Sequence, residues 1–531
     1  MDGRIDAAGL KARIDQAEEL AILDVREAGQ YAAGHLFFAT HIPYSRLELE
    51  VCDFVPRMAV EVIVYDDGDG VAARAADALG RLGYTQIRAL EGGAPAWAAA
   101  GYTLYEGVNL PSKTFGELVE HELDTPRISA DELAEMHKSG GDFIILDGRT
   151  PEEYVRFNIP GGISCPNADL PLRFDDLVPT RETTVVINCA GRTRSIIGAQ
   201  TLINFGIANR VVALENGTQG WALAGRELET GAGRIPARAV MPASMARAKE
   251  RAAKTAETYN VSFVDSQTLY AWQNDDARTT FVLDVRSHDE FRTGHLPGSR
   301  SAPGGQLVQA TDRWIGVRGA RVVVCDDTEV RAICTAHWLG QMGWDVHVLK
   351  EGIGADDLER GEDSASAAAV PNDPLTKISV DDLRAGLGDG DLAVIDLRAS
   401  ADFRDGHVPG AVWAVRPRVA EALSEGCGAV CVVADDEREA ALAAADLRTA
   451  GAVTVSILAG GFEAWVAEGH AVERSSDVPS ESNRIDFVAF TAERHGGNQD
   501  HMRRYLEWEI GLIDQLDAQE RAVFNIPAAA P

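Results

Sequence analysis

One run of seven residues in this 531-residue chain combines a thiol, two guanidinium groups and two hydroxyls. The run reads Cys189-Ala190-Gly191-Arg192-Thr193-Arg194-Ser195. It follows an apolar segment, 185–188, that predicts a strand, and it leads into a segment that predicts a helix. Where a strand turns directly into a helix, several backbone N–H groups converge and the helix dipole adds partial positive charge.

These surroundings suit nucleophilic chemistry at Cys189. Arg192, Arg194 and the converging amides favour the ionised thiolate, which is the form that attacks. Gly191 permits close backbone approach, and the two hydroxyls can donate hydrogen bonds or cap the helix. A buried, inert thiol is the alternative and the usual state of a free cysteine. Two arginines so close to a thiol at such a junction favour the functional interpretation, with no metal and no cofactor.

The chain repeats one unit four times, and this unit supplies the elements that position the run. Each copy has an apolar strand ending in Asp-x-Arg, then an aromatic residue and a turn. A second apolar strand and an Ala-rich helix follow, and three copies close with Leu, a Gly-containing turn and Trp. The Asp-x-Arg motifs begin at Asp24, Asp147, Asp284 and Asp396.

Short apolar strands that alternate with helical segments predict an α/β fold, with a parallel sheet flanked by helices in each copy. We predict four tandem domains and a helical C-terminal extension. The predicted domains are 1–106, 127–236, 259–360 and 375–474, and the extension is 475–531. The joints are predicted at 107–126, at 237–258 as a polar helix, and at 361–374 as a flexible tether.

Comparing the copies separates residues that serve the fold from residues that serve chemistry. Asp147 and Arg149 have counterparts in every copy, so we predict that they brace a turn through an ion pair. The turn holds a histidine in three copies and Asn158 in the second, which argues against a general base there. Only the second copy has a thiol after the second apolar strand. The other copies carry Asp66, Asp326 and Ala434 at the position of Cys189.

The bulk composition restricts the partners. The chain has 50 Lys and Arg against 82 Asp and Glu, a net charge of −32. This argues against nucleic acid or an anionic membrane as partner, because both repel an acidic surface. No secretory signal or membrane-spanning stretch is visible. The 7 cysteines are scattered without metal spacing, which favours reduced thiols and a cytoplasmic location.

Together, the Asp-x-Arg motif, the Gly-His-hydrophobic-Pro-Gly turn, the cysteine loop and a closing Leu-x-Gly-Gly-x-x-x-Trp resemble the rhodanese superfamily over residues 1–474. The resemblance implies a sulfurtransferase. Cys189 would take sulfur from a donor such as thiosulfate or mercaptopyruvate, hold it as a persulfide, and pass it to cyanide or a thiol. Arg192 and Arg194 would bind the donor anion. The implied binding residues are Ala190, Gly191, Arg192, Thr193, Arg194 and Ser195.

The second copy departs from the family pattern in two places. It has Phe157-Asn158 in place of Gly-His, and Gly191 falls two residues after the cysteine rather than three. Both departures bear on which donor is used. A phosphatase or arsenate reductase on the same fold is a weaker alternative, because those loops are roomier and place Arg six positions after Cys. A non-catalytic scaffold or sulfur-carrier hub is the alternative from another class.

Two further features have local interpretations. Residues 498–524 predict an amphipathic helix that packs across a domain or a second subunit, so a homodimer through this helix is one predicted assembly. Cys165 follows the turn of the second copy and is either a relay thiol or a buried packing residue, with packing favoured. The cysteines of the third and fourth copies are predicted core residues. These are Cys325, Cys334, Cys427 and Cys431.

Overall fold

A computed structural model describes residues 3–16, 18–354, 358–363, 375–389, 392–423, 428–488 and 498–527. They form two compact units, one with the first and fourth copies and the other with the second and third copies and the C-terminal tail. Each copy has one five-stranded sheet, and every described strand pairing is parallel. The predicted α/β fold of four tandem units is therefore confirmed.

All four sheets share one topology. Numbered along the chain, the strands lie in the order first, fifth, fourth, second, third. The strands of the first and second sheets are Arg4–Ile5, Leu20–Asp24, Thr40–His41, Glu61–Tyr65 and Gln86–Leu90, then Arg127–Ile128, Phe143–Asp147, Ile163–Ser164, Thr184–Asn188 and Val211–Leu214. Those of the third and fourth are Ser262–Val264, Thr280–Asp284, Arg300–Ser301, Arg321–Cys325 and Asp345–Leu349, then Thr376–Ile378, Leu392–Asp396, Val412–Trp413, Ala429–Val433 and Thr454–Leu458.

Helices connect these strands and cover both faces of each sheet. In the first and second copies they are Ala7–Ile14, Ala28–Ala33, Leu47–Phe54, Val71–Leu82 and Gly93–Ala99, then Ala130–Ser139, Pro151–Arg156, Leu170–Leu177, Thr193–Asn204 and Gly217–Leu223. In the third and fourth they are Ser266–Gln273, His288–Thr293, Gly304–Gln309 and Val330–Gln341, then Val380–Asp389, Ser400–Asp405, Glu437–Thr449 and Gly461–Ala467. Among the described residues, four helices lie outside the copies: Leu110–Leu123, Pro242–Thr258, Gln499–Ile510 and Ala518–Arg521.

The central strand of the second sheet, Thr184–Asn188, is buried on both faces. Val185 and Ile187 pack in one apolar cluster with Leu202, while Val186 packs in another with Trp221 on the opposite face. Continuous burial explains why this strand reads as an unbroken apolar run. The run that begins at Cys189 follows directly after the carboxyl end of this strand.

The Asp-x-Arg motif is a buried brace. Arg149 Nε and Nη2 donate to Asp147 Oδ1 and Oδ2 at 2.9 and 2.7 Å, and Nη2 also donates to the Phe157 carbonyl at 2.6 Å. Asn188 Nδ2 donates to Asp147 Oδ2 at 3.0 Å. The Asp–Arg ion pair recurs in the other three copies, at Asp24–Arg26, Asp284–Arg286 and Asp396–Arg398. The three copies that have no cysteine at the position of Cys189 also contain this ion pair, so we infer that it stabilises the turn.

The Phe157-Asn158 turn is structurally equivalent to the Gly-His turns. Gly34 in the first copy has φ 166°, which is extended backbone open to any residue, and Phe157 has φ −167°. Asn158 Nδ2 donates to the carbonyl four residues earlier at 3.2 Å, as His35 Nδ1 does at 2.9 Å. The amide therefore replaces the imidazole as a donor to the preceding helix.

This equivalence predicts a pH effect in the variant His35→Asn. Burial lowers the pKa of His35 from its ordinary value of 6.5 to about 3. The folded chain thus keeps His35 neutral, while the unfolded chain takes up a proton below pH 6.5. The stability from the neutral imidazole is intact above pH 6.5 and is lost as the pH falls toward 3.

We expect His35→Asn to be less stable than the parent by about 1 kcal/mol at pH 7, because His35 stacks on Tyr31. Between pH 7 and pH 5 the parent should lose about 2 kcal/mol more than the variant. Urea unfolding at both pH values measures this difference. If the two proteins lose the same free energy of unfolding between pH 7 and pH 5, the pH effect does not come from His35.

The segments outside the copies are partly as predicted. The predicted polar helix is observed as Pro242–Thr258, and most of the predicted tether at 361–374 lies outside the described residues. The single helix predicted over 498–524 is wrong. The helix Gln499–Ile510 ends before Gly511, and Asp517 caps a separate short helix, Ala518–Arg521. No helix in the described part of the chain is long and apolar enough to cross a bilayer.

Candidate active site

Cys189 lies at the carboxyl end of the central strand of the second sheet, just before the helix Thr193–Asn204. We call residues 189–192 the cysteine loop. The Thr218 N–H donates to the Cys189 carbonyl at 2.8 Å and so ties the loop to the turn after the next strand. Cys189 is only 2% exposed. Ligand sites of parallel sheets form at the edge where the carboxyl ends of the strands lead into helices.

The cysteine loop carries a set of backbone donors without acceptors. The N–H groups of residues 190–194 donate no hydrogen bond to any residue that the structure describes. In the first copy, the N–H groups of Gly68 and Gly70, which are the counterparts of Gly191 and Thr193, each donate to the carboxylate of Asp66 at 2.9 Å. The N–H of Ala72, in the helix that follows, also donates to this carboxylate at 2.9 Å. The fold therefore builds an anion-binding nest at this position. The second copy has a thiol where the first copy supplies its own carboxylate.

Ser195 bonds directly to the cysteine. Its Oγ donates to Cys189 Sγ at 3.0 Å, and the residue is 1% exposed. A hydroxyl donor stabilises a sulfur anion more than a neutral thiol, because hydrogen bonds to charged groups are the stronger ones.

We expect Ser195→Ala to slow alkylation of Cys189 by iodoacetamide at pH 7 by about tenfold or more, since a hydrogen bond to a charged group is worth about 1.5–3 kcal/mol. Ser164→Ala is a matched control: this serine of the same copy is also buried, and its Oγ has no hydrogen-bond partner among the described residues. Equal rates for the two variants would contradict the assignment.

Arg192 is held by the helix Leu110–Leu123. Its Nε and Nη2 donate to Glu117 at 2.8 Å each, and Nη2 also donates to Glu120. Arg192 is 6% exposed. Burial raises the pKa of Glu117, with the neighbouring carboxylates Glu509 and Glu120 adding to the rise. The charge of Arg192 is therefore shared by two carboxylates of its own unit.

Arg194 is paired as well. Its guanidinium donates two hydrogen bonds to Glu153, at 2.6 and 2.7 Å. Burial alone would raise the pKa of Glu153, but Arg194 brings it down to about 2. The third copy, which has no thiol after its strand, contains the same pair as Arg331 and Glu290 at 2.8 Å. The internal comparison thus assigns the Arg194–Glu153 pair to the fold.

These pairings bear on the predicted role of the two arginines. The sequence predicts that Arg192 and Arg194 bind the donor anion, and in the structure both buried guanidinium groups are paired with carboxylates, of which Glu153 is partly exposed. Positive potential in the loop comes instead from the backbone amides and the helix N-terminus. Gly191, Thr193 and Ser195 all lie in or beside the loop.

The structure adds residues that sequence reasoning missed. Lys113 Nζ lies 3.1 Å from Glu509 Oε1, and the Thr193 hydroxyl donates to the same oxygen. Lys113, Glu117 and Glu120 stand on a segment that the sequence shows only as a joint between copies, and Glu509 is 316 residues from Thr193. None belongs to the repeat, so comparison of the copies carries no signal for them.

The cysteines that the sequence predicts to be packing residues are buried where the structure describes them. Cys165 is fully buried, and burial raises the pKa of its thiol. Cys325, Cys334 and Cys431 are also buried, whereas Cys427 lies outside the described residues. Within the described ranges, no group of three or more His, Cys, Asp or Glu side chains is arranged to hold a metal ion.

The repeated sheet with one cysteine loop defines a rhodanese-like protein. Residues 6–100, 129–224, 265–355 and 379–468 match the family described as Rhodanese-like domain. The chain belongs to that family.

Its relatives include thiosulfate sulfurtransferases. That of Azotobacter vinelandii is 27% identical over 230 residues, which cover 36% of this chain and 83% of the relative. One from Pseudomonas aeruginosa is 26% identical over 230 residues, with the same coverage. A crystal structure of a thiosulfate sulfurtransferase from Pseudomonas aeruginosa is 41% identical, covers 99% of this chain and 100% of that chain, and has a TM-score of 0.91.

Proposed function

We propose that this chain is a sulfurtransferase that carries sulfur as a persulfide on Cys189. The Cys189 thiolate attacks the outer sulfur of a donor such as thiosulfate, whose S–S bond breaks while sulfite leaves with the electron pair. Cyanide or a thiolate then attacks the outer sulfur of the persulfide, and the Cys189 thiolate leaves. Each step passes one sulfur atom, and the cycle regenerates the thiolate without a cofactor.

The observation that carries this proposal is the nest of backbone N–H groups around a single thiol. Five consecutive N–H groups, at 190–194, have no acceptor in the described chain, and the first copy uses the equivalent nest for the carboxylate of Asp66. A persulfide anion on Cys189 has the negative charge that such a nest stabilises. The hydroxyl of Ser195 adds a donor on the sulfur itself.

The structure also bears on the alternatives. A phosphatase loop needs an arginine turned toward the phosphoryl group, and here Arg194 is bonded to Glu153 at both terminal nitrogens. A non-catalytic scaffold does not require a nest of donors around a thiol. We therefore favour sulfur transfer, with the relatives named thiosulfate sulfurtransferases as further support.

Mass spectrometry tests the proposal. The chain is treated with thiosulfate or mercaptopyruvate, separated from the donor and digested. We expect the peptide that contains Cys189 to gain about 32 Da, the mass of one sulfur atom, and to lose it when cyanide is added. Other cysteine peptides should not change. Absence of the gain with both donors, or a gain on another cysteine, would overturn the proposal.

A further inference from the structure

The C-terminal tail, residues 498–527, covers the cysteine loop. Its helix Gln499–Ile510 packs against the helices Leu110–Leu123 and Gly217–Leu223. A Cβ added to Gly191 would lie 3.1 Å from Tyr505 Cε1 and 3.3 Å from Glu509 Oε2. With the tail in this position, a sulfur compound has almost no access to Cys189, which is 2% exposed.

Glu509 brings a carboxylate to the start of the helix that follows the cysteine loop. Its Oε1 accepts from Lys113 Nζ at 3.1 Å and from the hydroxyl of Thr193, the first residue of that helix. Burial would raise the pKa of Glu509, but Lys113 and Thr193 bring it below its usual range. The residue is 1% exposed. A fully buried anion thus rests where the helix N-terminus and an ammonium group favour one.

Two buried polar side chains at this point are incompletely bonded. Glu509 Oε2 and both polar atoms of the Gln219 side chain have no hydrogen-bond partner in the described chain. All lie beside the loop, since Gln219 Nε2 would be 3.6 Å from the same Cβ on Gly191. Unsatisfied buried polar groups are costly. Gln219 belongs to the second copy, so its two polar atoms stay beside the loop and can bond a polar ligand when the tail is displaced.

The first copy shows that a carboxylate can be bound at this end of the sheet. There the nest holds the chain's own Asp66. In the second copy the position of Asp66 is a cysteine, and the tail brings the Glu509 carboxylate to the Thr193 hydroxyl beside the nest, where it accepts from none of the nest N–H groups. The other cations of the site already have carboxylate partners within their unit, Arg192 with Glu117 and Glu120 and Arg194 with Glu153.

We propose that Glu509 occupies the subsite for the anionic group of the sulfur donor, and that Lys113 and Thr193 bind that group when the tail lifts. The tail then acts as a cover whose carboxylate competes with the donor. This inference rests on the proposed function only for identifying the anion as the sulfur donor. The competition between Glu509 and an anion can be tested without that identification. Lys113 becomes a substrate-binding residue from outside the repeated unit.

The test measures alkylation of Cys189 by neutral iodoacetamide and anionic iodoacetate in the full chain. Cys52, which is partly exposed in the other unit, is the internal reference. Glu509→Gln removes the competing charge, and Glu507→Gln is the matched control, since Glu507 stands on the same helix and is exposed. We expect Glu509→Gln to raise the ratio of the iodoacetate rate to the iodoacetamide rate about tenfold, and Glu507→Gln to leave it unchanged.

Two further variants separate charge from loosening of the tail. Tyr505→Phe removes the hydroxyl that accepts from Lys113 without changing charge, so both reagents should react faster by the same factor. Adding Lys113→Met to Glu509→Gln should return the ratio to the parent value. If Glu509→Gln accelerates both reagents equally, or matches Glu507→Gln, the competition is absent and the inference fails.

Steady-state kinetics with thiosulfate give a second readout. If Glu509 competes with thiosulfate for the subsite, Glu509→Gln should lower KM about tenfold with little change in kcat. The reason is that the carboxylate affects only the binding of thiosulfate and not the chemical step that follows. A fall in kcat without a change in KM would overturn the inference. A changed alkylation ratio without persulfide on Cys189 would sink the proposed function alone, whereas persulfide formation with an unchanged ratio would sink this inference alone.

Discussion

A chain with Cys189→Ser is expected to transfer sulfur from thiosulfate to cyanide at least about a thousandfold more slowly than the parent, because the serine hydroxyl stays protonated and cannot form a persulfide. The loop geometry should survive, since serine and cysteine are close in size. Thiocyanate formation measures the rate. None of the other cysteines that the structure describes lies in an amide nest like that around Cys189, so no second thiol should replace it.

The matched control is Cys52→Ser. Cys52 is partly exposed and belongs to the first copy, so its loss should leave transfer unchanged. Residual transfer in Cys189→Ser near the parent rate would contradict a persulfide on Cys189. The scaffold hypothesis would instead be favoured by a Cys189→Ser chain that has lost sulfur transfer but still supports function in cells.

The second large effect is expected at Gly217. This residue has φ +52°, and a Cβ there would lie 2.2 Å from the Cys189 carbonyl oxygen and 2.9 Å from that of Gly191. Gly217→Ala must therefore strain its own backbone and push the cysteine loop. We expect a loss of about 3 kcal/mol in the free energy of unfolding and at least about a tenfold fall in sulfur transfer. Urea unfolding and thiocyanate assays measure the two effects.

Two glycines provide controls for Gly217. Gly225 has φ +71°, and a Cβ added there would have no atom within 4 Å, so Gly225→Ala should cost about 1 kcal/mol from backbone strain alone and spare transfer. Gly93 is the counterpart in the first copy, where a Cβ would lie 2.2 Å from the Asp66 carbonyl oxygen. Gly93→Ala should destabilise its unit yet leave transfer intact. Equal losses of transfer in all three variants would contradict the assignment.

The sequence alone was sufficient for the repeated architecture. The four copies share their apolar strands and Asp-x-Arg motifs, and local periodicity dictates buried parallel strands wherever it recurs. The comparison of copies also singled out Cys189, because a thiol stands after the second apolar strand in one copy only. Short-range features are readable in this way because their partners lie a few residues away, as Arg149 does from Asp147.

The charge state of the site depended on tertiary structure. The sequence shows Arg192 and Arg194 only as two positive charges near the cysteine. In the structure, helices elsewhere in the unit place Glu117, Glu120 and Glu153 against these arginines. The cover over the loop is equally non-local, since Glu509 reaches Thr193 across 316 residues. The periodicity of a segment predicts which of its residues are buried. The ion-pair partner of a buried charge lies on a different segment, and only the packing of the two segments brings the partner into place. The sequence was therefore sufficient to single out Cys189 as the proposed nucleophile, whereas the surroundings of this residue could be found only from the fold.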